Sequence, residues 1–498
     1  MGIVIRQSAI SSLIAYTSIG VGYINAIILM PMFMSPEEIG LIRTLLSISM
    51  LLIPLAVFGT PSSIIRFFPE FKEKRIESIL ITINFTIWIL AFLFVWFMFL
   101  LFDDQIALIF LRKSPTVNDH IDIVISLLFL MSCFQVFESI SKANLDIITP
   151  NIFREFGHKI LHSLIIFLLG LSVISFDQYL VGQVVIYGII LIGLILTVGK
   201  KYKYKKVSIT DILARLNGPI KYSSNITIGA VGSVMIGQIG QIWVSKDLGL
   251  KEMAIYTTAL LMITIVETPK KFISQISLPL ISRFYNSGDI ANIELSYKKA
   301  SVNSLLIGGL LFLGVFLNLE SIYTLMPNGN EYRTGYWIVF IIGIAKLSNA
   351  LFSLNGEILT MTKYYRIQIG LIIITGILNV SCNFYLVPML GLHGAAYSMI
   401  ITLVTFNILK FYFVNHRIGI SPFSLRTVRS ILILAFIFVV VEFIPRSTSI
   451  LVDILLRSSS ICVVFLVLIN IFRPSEDLIL IQNKILLKAK TITSKWKS

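Results

Sequence analysis

The chain has 498 residues, 56% of them hydrophobic and 13% charged, with a formal net charge of +15 and three cysteines. Its mean hydropathy is +0.88, and soluble domains run at about 45–50% apolar and about 25% charged, so a soluble enzyme and a nucleic-acid-binding domain are excluded. An all-α integral membrane protein is expected instead.

A spanning helix needs about 20 mainly apolar residues. Apolar windows, punctuated by charge, Pro and Gly, predict fourteen of them: 8–34, 40–61, 77–101, 121–142, 153–175, 179–199, 218–245, 253–282, 300–318, 334–360, 365–387, 391–414, 427–444 and 453–472. The first is preceded only by Arg6 and continues to Pro31 without an A-x-A-like cleavage site, so it reads as a retained helix. With the N-terminus in the cytoplasm, inner segments hold thirty Lys or Arg, Lys410 among them, and outer segments seven, Arg457 among them. That asymmetry is what the positive-inside rule demands, and one helix more or fewer would destroy it. A multi-pass protein of the cell (inner) membrane with both termini cytoplasmic is expected.

The run KKYKYKK at 200–206 acts as an inner-face anchor attracted to anionic lipid heads. The tail from Arg473 places Leu478, Ile481 and Ile485 at helical spacing among lysines, which suits the inner membrane surface. Cys133, Cys382 and Cys462 lie singly in apolar segments and suggest neither a disulfide framework nor a metal motif. His158 and His162 are four apart but have no third ligand, so neither metal nor cofactor is expected. Asp103 and Asp104 lie in an outer loop without a large outer domain around them, which argues against a glycosyltransferase.

PEEIGLIRTLL from Pro36 aligns without gaps to LKEMAIYTTAL from Leu250, and IIRFF (64–68) corresponds to ISRFY (281–285) after a shift of three. Helices one to six and seven to twelve therefore read as parallel copies of one bundle, an arrangement that commonly holds a substrate site between its halves. The expected parts are a six-helix lobe (1–199), a basic linker (200–217), a second six-helix lobe (218–414), two extra helices (415–472) and an amphipathic tail (473–498).

Four basic residues fall inside spans: Arg43, Lys270, Lys271 and Lys346. A mid-bilayer charge costs roughly 2.5–3.5 kcal/mol even on the translocon scale, so such groups face a partner or a watery cavity. Arg43, at the start of helix two, can snorkel to the surface. Lys346, Asn349, Ser353 and Glu357 form one stripe on helix ten. Glu267 precedes Lys270 and Lys271 by three and four residues and can reach either, but it cannot neutralise both, and Pro269 favours a kink beside them. Helix one carries the stripe Ser11, Ser18, Gly22 and Asn25, and helix seven the stripe Ser224, Thr227, Gln238, Gln241 and Ser245; each suits the wall of a hydrated cleft or a polar helix contact.

Three stretches carry a family likeness: MSPEEIGLIRTLLSISMLLIPLAVFGTPSSIIRFFPEF (34–71), LGLKEMAIYTTALLMITIVETPKKFISQISLPLISRF (248–284) and LNVSCNFYLVPMLGLHGAAYSMIITLV (378–404). In the third, Asn379, Asn383, Pro388, Gly391, Gly394 and Ala395 stand in the family's order. The chain thereby resembles the polysaccharide (O-antigen and capsule) flippases of the multidrug, oligosaccharidyl-lipid and polysaccharide (MOP) exporter superfamily. In that family helix seven often has an aspartate where this chain has Gln238 or Gln241.

The resemblance implies two six-helix lobes around a central cavity, plus two helices. It also implies alternating-access movement of an undecaprenyl-diphosphate-linked oligosaccharide to the outer leaflet, without enzymatic chemistry. The implied partners are this lipid-linked oligosaccharide, membrane lipids, H⁺ or Na⁺ as coupling ion, and a polysaccharide polymerase with its chain-length regulator. On this reading Lys270, Lys271, Lys346 and Arg43 meet the diphosphate, while Asn349, Gln238, Gln241 and Asn25 bind sugar hydroxyls or line the cleft. Glu267 or Glu357 exchanges the coupling ion. A multidrug exporter and a lipid II flippase are alternatives within the superfamily, and a membrane glycosyltransferase or polymerase is one outside it.

Overall fold

The computed structural model describes residue 14 and residues 17–201, 205, 207–480 and 482–483, and among these every element is helical. The principal helices are α1 (Thr17–Phe33), α2 (Pro36–Val57), α3 (Thr60–Glu73), α4 (Glu77–Leu101), α5 (Ile121–Ala143), α6 (His158–Gly170) and α7 (Phe176–Lys201). They continue as α8 (Asn217–Asp247), α9 (Leu250–Thr264), α10 (Thr268–Asn286), α11 (Ile290–Phe316), α12 (Tyr336–Phe352) and α13 (Asn355–Met361). The series ends with α14 (Tyr365–Leu390), α15 (Leu392–Ile418), α16 (Leu425–Glu442) and α17 (Ile450–Phe472). The described part of each of the fourteen predicted spans falls largely on helix; residues 8–13, 15 and 16 of the first lie outside the described residues. Ser11, most of the KKYKYKK run, Ile481, Ile485 and the end of the tail lie outside the described residues.

Ten of these helical segments are long and apolar enough to cross a membrane by length and composition. Four predicted spans are not among these ten. α1 is described continuously only from Thr17, α6 has 13 residues after a π-helical turn, α9 and α10 are separate pieces of one predicted span, and α16 carries Arg426, Arg429 and Glu442 within its 18 residues. Helix nine was expected to begin at 300, but α11 begins ten residues earlier, where Asp289 accepts the Asn292 N–H (3.1 Å) as an N-cap. Its first three turns carry Glu294, Lys298 and Lys299, which a hydropathy window rejects but a helix protruding from the bilayer tolerates.

The chain divides into two compact units. The first comprises 1–258, 326–328 and 379–395, and the second 259–325, 329–378 and 396–498. In the first unit, Ser35 opens α2 with a capping box: its hydroxyl accepts the Glu38 N–H (3.2 Å), and the Glu38 carboxylate accepts the Ser35 N–H (2.7 Å). α2 ends at Phe58 and Gly59, both with left-handed backbones, and α3 starts at Thr60. A Cβ at Gly59 would also lie 2.4 Å from the Ser223 carbonyl oxygen, so the turn between α2 and α3 is pressed against α8.

The two repeated motifs meet in this unit. A Cβ on Gly40 would come 1.8 Å from the carbonyl oxygen of Leu250, the residue that opens α9. Behind this contact, Ser49 donates to the Val124 carbonyl (3.2 Å) and the Trp88 indole N–H to Ser132 (3.1 Å). Hydroxyls and an indole thus tie α2, α4 and α5 together where no water would compete. The opposite face of α4, with Leu90, Phe94, Phe97 and Leu100, is exposed, as a lipid-facing surface should be.

The second unit packs α10, α11, α13, α14 and α15 around Ile281, Ile293, Tyr297, Leu354, Ile358, Leu371 and Val414. In α17, Arg457 is only 2% exposed and meets the Asp453 carboxylate (3.4 Å) and the carbonyls of Val441 and Ile444. Arg457, counted above as an outer charge, is therefore an internal one. Its distance from a loop is hidden because the charged pair opens an otherwise apolar helix.

Gly40 is the position most intolerant of change on these distances. Gly40→Ala must displace a backbone carbonyl rather than a side chain, and overpacking of this kind costs about 1–3 kcal/mol. The expected result is a lower melting temperature in detergent, while the equivalent substitution at Gly20, whose Cβ would meet nothing within 4 Å, leaves it unchanged.

Candidate functional site

Inside the second unit the helical rod breaks twice, and both breaks carry acid groups. α9 gives way to a single 3-10 turn, Ile265–Glu267, before α10 restarts with Pro269 in its first turn. Proline lacks the N–H that would continue the ladder, so the restart falls where the sequence places the kink. The turn is held against α11 because Gly308 has no Cβ; one there would stand 2.9 Å from the Val266 carbonyl oxygen. The second break is between α12 and α13, at Ser353, whose backbone has φ 33°.

The first break points Glu267 across to α12. Lys346 donates to Glu267 Oε2 at 2.7 Å, and Asn349 Nδ2 donates to Oε1 at 2.9 Å. Asn407 of α15 then donates to Asn349 Oδ1 (2.7 Å) and to the Ser348 hydroxyl (3.2 Å). A lysine, a carboxylate and two amides from three segments thus form one continuous network. Lys346 is 7% exposed, so its charge is carried by this network rather than by solvent.

This arrangement corrects two expectations. Glu267 does not take Lys270 or Lys271 along its own helix, because the 3-10 turn ends at Glu267 and removes the helical offset that would align them. Glu357 does not extend the Lys346 stripe, because the break at Ser353 starts a new helix with a different phase. Its carboxylate instead accepts the Ser274 hydroxyl of α10.

A second cluster forms around Glu357. Lys410 of α15, assigned above to an inner segment, is 4% exposed with its ammonium 3.9 Å from the centre of the Phe406 ring. It also interacts electrostatically with Lys270 and Glu357. Among the described residues Lys270, Lys271 and Lys410 make no ion pair within 4 Å. Lys271 is exposed and Lys270 half-buried. On α10, α12, α13, α15 and the 3-10 turn, two carboxylates and four lysines therefore gather, and of these lysines only Lys346 is directly neutralised.

The remaining candidates lie in the first unit. Gln241 Nε2 donates to Gln238 Oε1 (3.0 Å), while its own Oε1 accepts from Ser47 (3.1 Å). Ser245 is bonded to Thr44 (2.9 Å) and Ser114, so this part of the helix-seven stripe packs on α2 and the segment before residue 116. Asn25 donates to the Lys159 carbonyl (3.1 Å) and accepts from Ser163 (2.7 Å), and Ser18 donates to the Glu155 carbonyl (2.8 Å). Both stripes thus serve helix contacts at these positions. Arg43 lies two turns into α2, within electrostatic reach of His162, Tyr179 and Tyr187. His162 itself bonds the Tyr179 hydroxyl (2.7 Å).

Asn407 and Lys410 escaped the sequence reading. The signal that could have found them was their spacing of three on one helix, an amide and a lysine well inside an apolar run.

No family model matches the chain. An uncharacterized membrane protein of Methanocaldococcus jannaschii is 22% identical over 399 residues, covering 76% of this chain and 77% of that protein. The lipid II flippase MurJ in an inward closed conformation superposes with a TM-score of 0.73 at 15% identity, over 94% of this chain and 99% of MurJ. A multidrug resistance MATE family transporter of the MOP superfamily, inward-facing, gives 0.61 at 15% identity, over 84% and 98%. A MOP superfamily transporter from Pyrococcus furiosus, noted for a binding pocket of reverse polarity, gives 0.58 at 15% identity, over 84% and 95%. The chain is a multi-pass, all-α membrane protein with the fold that MurJ and the MATE transporters, members of the MOP superfamily, share.

Proposed function

We propose that the chain is a flippase that moves a lipid-linked oligosaccharide, joined to its undecaprenyl carrier by a diphosphate, across the cell membrane by alternating access, with both termini cytoplasmic. The observation that carries this reading is the excess of lysines over carboxylates in one cluster of the second unit, where Lys270, Lys271, Lys346 and Lys410 on α10, α12 and α15 meet only Glu267 and Glu357. Cationic charge at membrane depth is costly, and an anionic cargo is what offsets it. A lysine is a compact point charge well suited to phosphate.

In this scheme Lys270, Lys271 and Lys410 form the anion-attracting set, and Lys346 is held in reserve by Glu267. Protonation of Glu267 would release Lys346 to the diphosphate, and departure of the cargo would restore the pair. Glu267 is therefore the proposed exchange group, and Asn349 and Asn407 orient it. Lipid II is a second candidate cargo, favoured by the more complete superposition on MurJ than on the MATE transporters. A cationic drug is disfavoured by the same lysines.

Flipping of a labelled lipid-linked oligosaccharide in proteoliposomes tests the scheme, with labelled lipid II as the parallel probe. Lys270→Ala with Lys271→Ala is expected to slow transport at least tenfold, about 1.4 kcal/mol in barrier; an undiminished rate for either probe would sink the cationic site. Glu267→Gln is expected to make the rate insensitive to a pH or Na⁺ gradient.

Lys410 offers a sharper discrimination between a structural and a functional charge. Replacing a buried cation that has no carboxylate within ion-pair distance by a similar apolar chain is commonly neutral or stabilising. Lys410→Met should therefore melt no lower than the parent protein while losing most transport. A variant that is destabilised yet transports normally would make Lys410 a packing residue.

The pair itself is expected to behave as a unit. Lys346→Met alone leaves the Glu267 carboxylate without a counter-charge and should cost about 3–5 kcal/mol, most of it recovered when Glu267→Gln is added. Thermal unfolding of the single and double variants measures this directly.

A further inference from the structure

We propose that the first unit holds a pocket for an anionic phospholipid with a glycerophosphate headgroup, at the lysine-rich end of α3, α4, α5 and α7. A cavity of about 890 Å³ opens there, with two chemically distinct ends. Ile81, Phe85 and Ile89 of α4 face Phe137 of α5 and Ile195 of α7 to make an apolar cleft. Lys72, Lys200, Lys201 and Lys205 gather at the other end with Glu77, Ser78 and Asn144. A cavity that is greasy along its length and cationic at its mouth fits an amphiphile with an anionic head better than any soluble anion.

The lysines are not equivalent. Lys201 is tied to Asp146. Burial works against the charge on that carboxyl, but hydrogen bonds from Lys201 and Thr149 outweigh it and hold its pKa below the ordinary value. Asp146 therefore stays ionised and keeps Lys201 engaged. Among the described residues, Lys72 makes no ion pair and contacts the Asn144 amide oxygen (3.3 Å) and the Phe68 ring (5.5 Å). Lys200 and Lys205 make no ion pair among the described residues. The Lys205 N–H donates to the Ser78 hydroxyl (3.1 Å), which fixes this lysine's backbone beside the start of α4.

Three lysines without carboxylate partners thus face one further acid, Glu77. Its Oε2 is buried and lacks a hydrogen-bond donor. A phosphodiester satisfies the lysines, and a hydroxyl beyond the phosphate satisfies Glu77 Oε2. A glycerol headgroup supplies both with net negative charge, whereas a choline headgroup has no donor and carries a cation toward the lysines. The surplus of positive charge favours phosphatidylglycerol over phosphatidylethanolamine, which has a donor but no net charge.

Native mass spectrometry of the full chain, titrated with phosphatidylglycerol, phosphatidylethanolamine and phosphatidylcholine, tests the assignment. One phosphatidylglycerol should be retained in preference to both others. A juxtamembrane lysine is worth about 1 kcal/mol toward anionic lipid, roughly fivefold in affinity. The triple variant Lys72→Gln, Lys200→Gln, Lys205→Gln should therefore bind on the order of a hundredfold more weakly.

Thr86→Trp, at an exposed position lining the cavity, should abolish retention by filling it, with the melting temperature confirming that the variant is folded. Glu77→Gln should narrow the preference for phosphatidylglycerol over phosphatidylcholine. Equal binding of the three lipids by the parent chain overturns the proposal. So does unchanged phosphatidylglycerol binding in both the triple and the Thr86→Trp variants, or displacement of the lipid by inorganic phosphate alone.

Discussion

A carboxylate can sit within the helices of a membrane protein only if other groups of the protein take the place of water, and Glu267 shows how this is done. Lys346 supplies the opposite charge, Asn349 the second donor, and Asn407 holds Asn349 in position. The backbone must cooperate as well. If α9 ran on without interruption into α10, Glu267 would point in the helical direction of its neighbours; the 3-10 turn and the restart at Pro269 aim it at α12. Gly308 completes the arrangement by letting α11 approach the turn. An ion pair, an amide relay, a proline and a glycine are thus parts of one local solution to one desolvation problem.

The same logic explains where the chain spends its small residues and hydroxyls. With lipid as solvent, apolar area gives little reason for one helix to prefer another, and close approach and hydrogen bonding decide. Gly40 against Leu250, Gly59 against Ser223 and Gly394 against Leu386 are backbone contacts that any Cβ would prevent. Ser47, Thr44 and Ser245 add side-chain bonds between α2 and α8. The motifs that made the sequence look like a MOP exporter are largely these contacts. They mark how the helices fit, and their presence says more about the fold than about the cargo.

This separates what could be read from the sequence from what could not. Apolar length, loop charge and the repeated PEEIG and LKEMA segments locate the helices, because these depend on composition over about 20 residues at a time. Charged partners depend on single backbone dihedrals. The stripe through Lys346 and Glu357 assumes a straight helix, and the positive φ at Ser353 ends that assumption. Likewise Lys410 and Arg457 look like boundary charges when counted along the chain, yet both are buried. A charge near the end of a hydropathy window is ambiguous by sequence, since snorkelling and burial require the same residue types.

The two buried cations also differ in a way that bears on function. Arg457 has a carboxylate on its own helix and two backbone carbonyls, so its charge is fully answered where it stands. Lys410 has an aromatic face and only a more distant carboxylate. A guanidinium with a fixed set of acceptors serves structure, whereas an ammonium left incompletely matched stores electrostatic free energy that a bound anion can release. If selection had acted on stability alone, the first pattern would serve at both positions. The contrast between them, within one unit and one solvent, is the strongest physical reason to regard the lysines around α10, α12 and α15 as a binding device.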